Sequence, residues 1–130
     1  MEPRVFPILN CADILATRSF YQRVFGAEQV YQFPDEGDPV YLSLAIGGGH
    51  IALGVGTGPA MYGETPLPAT GHAVDVCVYV PDLDGVLAAA SDHGGRLVVP
   101  ATDTPWGERV AYVQDPEGTM LLVIQQEADA

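Results

Sequence analysis

The last sixty or so residues of the chain echo the first sixty at a constant offset of 69 positions, and no other feature limits the fold as sharply. Leu9 to Ile14 falls on Val78 to Leu83, Gly26 on Gly95, Val30 on Val99, Gly49 on Gly118, and Ile51 to Leu53 on Met120 to Leu122. Few residues are identical. What recurs is an order: apolar strand, Asp at a helix start, helix, Gly, then further apolar strands. Two copies of a unit too small to bury its own apolar face are expected to pack about a pseudo-twofold axis, with function in the pocket between them.

Each copy reads β-α-β-β-β. In the first, Arg4 to Asn10 is strand-like, with Pro7 marking an edge or irregular strand. Asp13 is placed to cap a helix that runs to Phe25, with Ala16, Phe20 and Val24 on one face, and Gly26 ends it. Strands follow near Glu28 to Phe33, Val40 to Ala45 and His50 to Val55. In the second, a strand over Ala73 to Val80 leads to Asp82 and a helix with Leu83, Val86, Leu87 and Ala90 on one face. His93 and Gly94-Gly95 close that helix. A short strand near Leu97 to Val99, a loop from Pro100 to Gly107, and strands over Val110 to Gln114 and Thr119 to Gln125 complete the unit. The expected fold is α+β: tandem βαβββ modules forming a cup-shaped, incompletely closed mixed barrel with flanking helices. It is read as one domain over residues 1–130, with module one at about 3–56, a Gly/Pro/Thr linker at about 57–70, and module two at about 71–127.

Composition narrows the partners. Seventeen acidic residues face five arginines and no lysine, a net charge of −12. Such a surface repels nucleic acid backbones and anionic lipid heads and favours cationic ligands. No apolar run reaches membrane-spanning length and no secretory leader is evident, so a cytoplasmic protein is expected. Cys11 and Cys77 sit in apolar strand-like runs without CxxC spacing and read as small buried hydrophobes. The Gly47-Gly48-Gly49 turn leads into a strand, not a helix, so it is no phosphate loop. Ser19, Ser43 and Ser91 lack a nucleophile elbow.

The paired βαβββ order, with Asp13 and Phe20-Tyr21, Gly26, Asp82, Gly94-Gly95, Pro105-Trp106-Gly107-Glu108-Arg109 and Asp115-Pro116-Glu117-Gly118, resembles the vicinal oxygen chelate superfamily. That superfamily groups glyoxalase I, extradiol dioxygenases, fosfomycin-resistance enzymes and bleomycin-resistance proteins. The resemblance implies a divalent metal held by residues at four positions, which map here onto Phe6, Asp75, Leu53 and Leu122. Three of the four cannot bind a metal. The metal-free bleomycin-resistance-like branch is therefore the nearest likeness, and it implies a homodimer that holds a cationic or aromatic small molecule without cofactor, as in antibiotic sequestration.

Several residues carry that expectation. Trp106, the only tryptophan, either touches ligand or pins its loop to the rim. Phe33 and Tyr41 form an opposite wall or are hairpin packing. Asp75 lies mid-strand, where a carboxylate needs a wet cavity, a cationic ligand, or a salt bridge to Arg4 or Arg109. Phe6, Leu53 and Leu122 complete the predicted ligand-binding set. The alternative is a metal-dependent lyase or dioxygenase with one divalent ion on His50, His72 and Asp75, or a metal-free isomerase with Asp75 as base. Strand alternation weighs against the metal set, because His50 has the opposite parity to Leu53 and His72 to Asp75. A ligand-responsive accessory protein is a third possibility.

Overall fold

The computed structural model describes residues 3–55 and 74–127. The expected linker at 57–70 and His72 lie outside the described residues. Two four-stranded sheets and two helices appear in the order the repeat predicts. Module one comprises β1 (Ile8–Cys11), α1 (Ile14–Phe25), β2 (Glu28–Phe33), β3 (Tyr41–Ile46) and β4 (Gly49–Val55). Module two comprises β5 (Val76–Val80), α2 (Leu83–Asp92), β6 (Arg96–Asp103), β7 (Arg109–Gln114) and β8 (Met120–Gln125). The sheets run β1-β4-β3-β2 and β5-β8-β7-β6, each with one parallel pair and two antiparallel pairs, so both are mixed and neither closes on itself.

Local chemistry sets the helix ends. The Asp13 carboxylate accepts from Ala16 N at 3.0 Å and the Asp82 carboxylate from Gly85 N at 3.1 Å, each satisfying a free amide of the first turn. Gly26 takes φ of 68°, the left-handed cap that returns its N–H to the last turn. Gln125 adds a cap from a distance, its Oε1 accepting from Leu83 N at 2.9 Å and its Nε2 donating to Pro81 O at 2.7 Å. The buried face of α1 is Ile14, Thr17, Phe20, Tyr21 and Val24, while Ala16 is exposed.

Three strands differ in extent from expectation, and one of them, β5, begins only at Val76, which leaves Val74 and Asp75 ahead of the regular strand. The ladder of the first strand opens only at Pro7, whose carbonyl accepts from Ala52 N, and regular structure starts one residue later. β6 continues to Asp103 through Pro100, where a loop was expected. It is the edge of its sheet, and its register slips between Val99 and Thr102, so the missing proline N–H breaks no regular ladder bond.

One face of each sheet packs on the helices. Leu42, Leu44, Ile51 and Leu53 of module one and Ala111, Val113, Leu121 and Val123 of module two belong to a single apolar cluster with Phe20, Tyr21 and Leu83. The modules meet through α1. Gly95 is required there, because a Cβ would stand 2.7 Å from the Phe20 ring and 2.9 Å from Ala90 O. Tyr21 Oη donates to Asp115 Oδ2 at 2.7 Å, and Asp115 Oδ1 accepts from Glu117 N and Thr119 N at 2.9 Å each. Burial and the Asp115 charge push the Tyr21 hydroxyl well above its ordinary pKa, so it stays a donor. Glu117 Oε1 accepts from Ala12 N, a second link between the halves.

Candidate functional site

The faces turned away from the helices are concave, and alternation decides what stands on them. In module one, the residues between the core leucines are Tyr41 and Ser43 on β3 and His50 and Ala52 on β4, with Phe6 beside them. In module two they are Cys77 and Tyr79 on β5, with Asp75 just ahead of that strand, Tyr112 on β7 and Leu122 on β8.

Register corrects one predicted position. Ile8 pairs with Ala52 and Cys77 pairs with Leu122, so the closing strands are offset by 70 residues although the first strands are offset by 69. The cause is the hairpin. Ile46 pairs directly with Gly49, whereas Gln114 and Met120 enclose a longer turn stabilised by Asp115. Leu53 accordingly lies in the core, fully buried with Leu42 opposite it, and Ala52 is the concave-side partner of Leu122. The same fact reverses the reasoning about His50. Its parity is opposite to that of Leu53, as expected, and this turns it onto the concave face, 6.2 Å from the Phe6 ring. Cys77 is likewise exposed on the concave side rather than buried, whereas Cys11 is buried and its thiol is pushed up to about 11, chiefly by desolvation.

The second face is acidic and aromatic. Glu108 accepts from Trp106 Nε1 at 2.8 Å through one oxygen and from Tyr79 Oη at 3.3 Å through the other. Trp106 is 73% exposed and Tyr79 61%, so neither ring is packed away, and Trp106 does not pin its loop by burial. Asp75 accepts from Tyr112 Oη at 2.8 Å. Both tyrosine hydroxyls are raised above their ordinary pKa, Tyr79 mainly by the Glu108 charge and Tyr112 mainly by its bond to Asp75. Of the two arginines expected to pair with Asp75, Arg109 lies 3.5 Å from Asp103 and Arg4 lines the other module's cavity. Sequence reasoning missed Glu108, though its place two residues after Trp106 in an exposed turn was the available signal.

The first face holds a cavity of ≈ 350 Å³ lined by Arg4, Phe6, Tyr31, Tyr41, Ser43 and His50. The Tyr31 and Tyr41 rings meet edge to face at 6.0 Å, and Phe33 pairs with Tyr41 across the strands but is largely exposed. A larger open cavity of ≈ 850 Å³ follows β5 and reaches the β3–β4 hairpin, bordered by His50 and Tyr79. Trp106, Asp75 and Leu122 border neither cavity.

Phe6, Ala52 and Leu122 present no lone pair to a cation, and Asp75 alone is not a ligand set for a divalent ion. Among the described residues no three of His, Cys, Asp and Glu gather where an ion could be held. The residues present at these positions do not fit a bound metal.

A profile of the Glyoxalase/Bleomycin resistance protein/Dioxygenase superfamily matches residues 5–123, nearly the whole of both modules. The chain belongs to that superfamily. An uncharacterized protein of Mycobacterium bovis is 30% identical over 122 residues, covering 91% of this chain and 80% of its own length. TioX from Micromonospora sp. ML1 is similar in structure, with 28% identity, a TM-score of 0.74 and coverage of 97% of this chain and 100% of that one. A glyoxalase-related enzyme from Fulvimarina pelagi aligns with a TM-score of 0.78 over 97% of this chain and 89% of that one, but at 19% identity it speaks for the fold alone. Superfamily membership accounts for the tandem modules and the concave faces. Among the described residues no helix is long and apolar enough to cross a membrane.

Proposed function

We propose that the protein binds a small or medium organic ligand, aromatic and cationic, without a metal and without chemical change, in the manner of the bleomycin-resistance-like members of its superfamily. The observation that carries this is the exposed Trp106 and Tyr79 pair held by Glu108, with Asp75 on the same face. Rings fixed at their polar ends by a carboxylate leave their π-faces open, and a flat cation gains from stacking, cation–π attraction and the nearby negative charge. The net charge of −12 adds long-range attraction for the same guest.

A homodimer with grooves between subunits fits the same reading. Ile8 and Tyr79 are apolar or aromatic and exposed along the concave side, a surface of the kind that a second copy covers. Titration with a planar cationic dye such as a 9-aminoacridinium tests the binding. Saturable heats whose affinity falls about tenfold in Trp106→Ala support it, and flat heats across a panel of cationic aromatics overturn it.

A metal-dependent enzyme is the second reading, favoured by His50 standing on the concave face. Elemental analysis of tag-free protein purified without chelator separates the two, since about one metal per chain replaces the first reading with the second.

A further inference from the structure

The cavity of module one is not used by that cationic site, and its chemistry is of the opposite sign. The chain has only five arginines against 17 acids, yet one of them, Arg4, lines this hollow. Among the described residues Arg4 has no ion pair, and the arginine–carboxylate pair that is present joins Arg109 to Asp103. A guanidinium presents a planar fork of donors that matches a carboxylate, and it stacks on aromatic faces as well. Phe6, Tyr31 and Tyr41 supply three ring walls, and the volume lies at the small end of the ~300–1,000 Å³ range of ligand clefts.

The polar floor points the same way. His50 Nε2 and Ser43 Oγ are 2.7 Å apart. With the proton on Nε2 the ring donates to Ser43, and the serine keeps its own O–H to donate to a guest's oxygen. An oxygen-rich, electron-rich guest is matched and an ammonium is not, because Arg4 repels it.

We infer that this cavity binds an aromatic group bearing a carboxylate, with Arg4 on the carboxylate, the ring between Phe6 and the Tyr31–Tyr41 pair, and Ser43 donating to an oxygen of the guest. The site shares no residue with the Trp106 face, so its failure and the failure of the cationic reading are separable.

The test uses the full chain and two probes, 2-naphthoate and its neutral counterpart 2-naphthylmethanol, followed by calorimetry and by amide chemical shifts. The naphthoate is expected to bind at least about tenfold more tightly than the alcohol, the usual advantage of one charge-assisted hydrogen bond. Shifts should centre on Ser43 and His50. Arg4→Gln should erase the difference between the probes, whereas Arg18→Gln, which removes a surface arginine bonded to Gln29, should keep it. Binding of the acridinium dye should be untouched by Arg4→Gln. Equal affinity for the two probes, no binding of the naphthoate, shifts centred outside module one, or a naphthoate affinity indifferent to Arg4→Gln would each overturn the inference. Should Arg4→Gln fail to fold, the wild-type shift map and the neutral comparator decide alone.

Discussion

On the first sheet Arg4, His50 and Ser43 stand among Phe6, Tyr31 and Tyr41, while on the second Asp75 and Glu108 stand among Tyr79, Tyr112 and Trp106. The helix-facing sides of the same strands differ in side-chain size but not in polarity. Leu42 and Leu44 correspond to Ala111 and Val113, and Ile51 and Leu53 to Leu121 and Val123, all buried and all apolar. On the concave side Phe6 is matched by Asp75, Ser43 by Tyr112, and Ala52 by Leu122. A polar group buried without partners is costly in a core, and a surface open to water carries no such penalty. The contrast locates specificity: one scaffold repeated, with recognition written on the faces that packing leaves free.

The comparison rests on a shared frame, so the largest expected effect comes from breaking that frame. Asp115→Ala removes the acceptor of Tyr21 Oη and of two turn amides together, and should lower unfolding free energy by about 3 kcal/mol or more in urea titration. Binding on both faces should weaken together, and loss on one face alone would show that the modules are independent. Tyr21→Phe should cost about 1–2 kcal/mol at neutral pH, because Asp115 retains its backbone donors. Its pH dependence has a definite sign. The Tyr21 pKa is raised above its unfolded value of 10.0, so its contribution is complete below about pH 10 and is lost as pH climbs toward the folded value. The stability gap between wild type and Tyr21→Phe should therefore narrow in alkali, and Cys11, also raised, is present in both proteins and cancels.

Smaller effects discriminate between the faces. Trp106→Ala should weaken a cationic aromatic dye about tenfold while leaving stability within ~0.5 kcal/mol, since the ring is mostly exposed. Asp75→Asn should weaken the dye only a few-fold, and that difference should fade in high salt, because a partly solvated charge acts mainly by screened attraction. If Arg4→Gln weakened the dye as much as Trp106→Ala does, the division between faces would be wrong.

The sequence carried the scaffold well. Asp13, Asp82 and Gly26 end their helices by chemistry confined to a few neighbouring residues, and the βαβββ order follows from apolar runs of fixed length. What escaped it depended on distance along the chain. The parity of His50 is legible in the sequence, but which side of the sheet faces the pocket is not, because one extra residue in the Asp115 turn shifts the repeat and makes Leu53 a core residue. Cys77 reads as buried from its apolar neighbours Val76 and Val78, which are partly buried against the core, although alternation sends it the other way. The extension of β6 through Pro100 was hidden because proline disfavours a strand interior, and only the sheet order reveals that this strand is an edge. Glu108 gained its meaning only when Tyr79, 29 residues away, was seen to share it.

The contact of Phe20 with Gly95 and the bond from Tyr21 to Asp115 have a consequence for any attempt to divide this molecule. A fragment ending before the second βαβββ unit would expose the aromatic flank of its helix, and the complementary fragment would carry a carboxylate stripped of its phenol. Expressed separately, the two pieces should be poorly ordered; mixed, they should reassemble and regain cooperative melting.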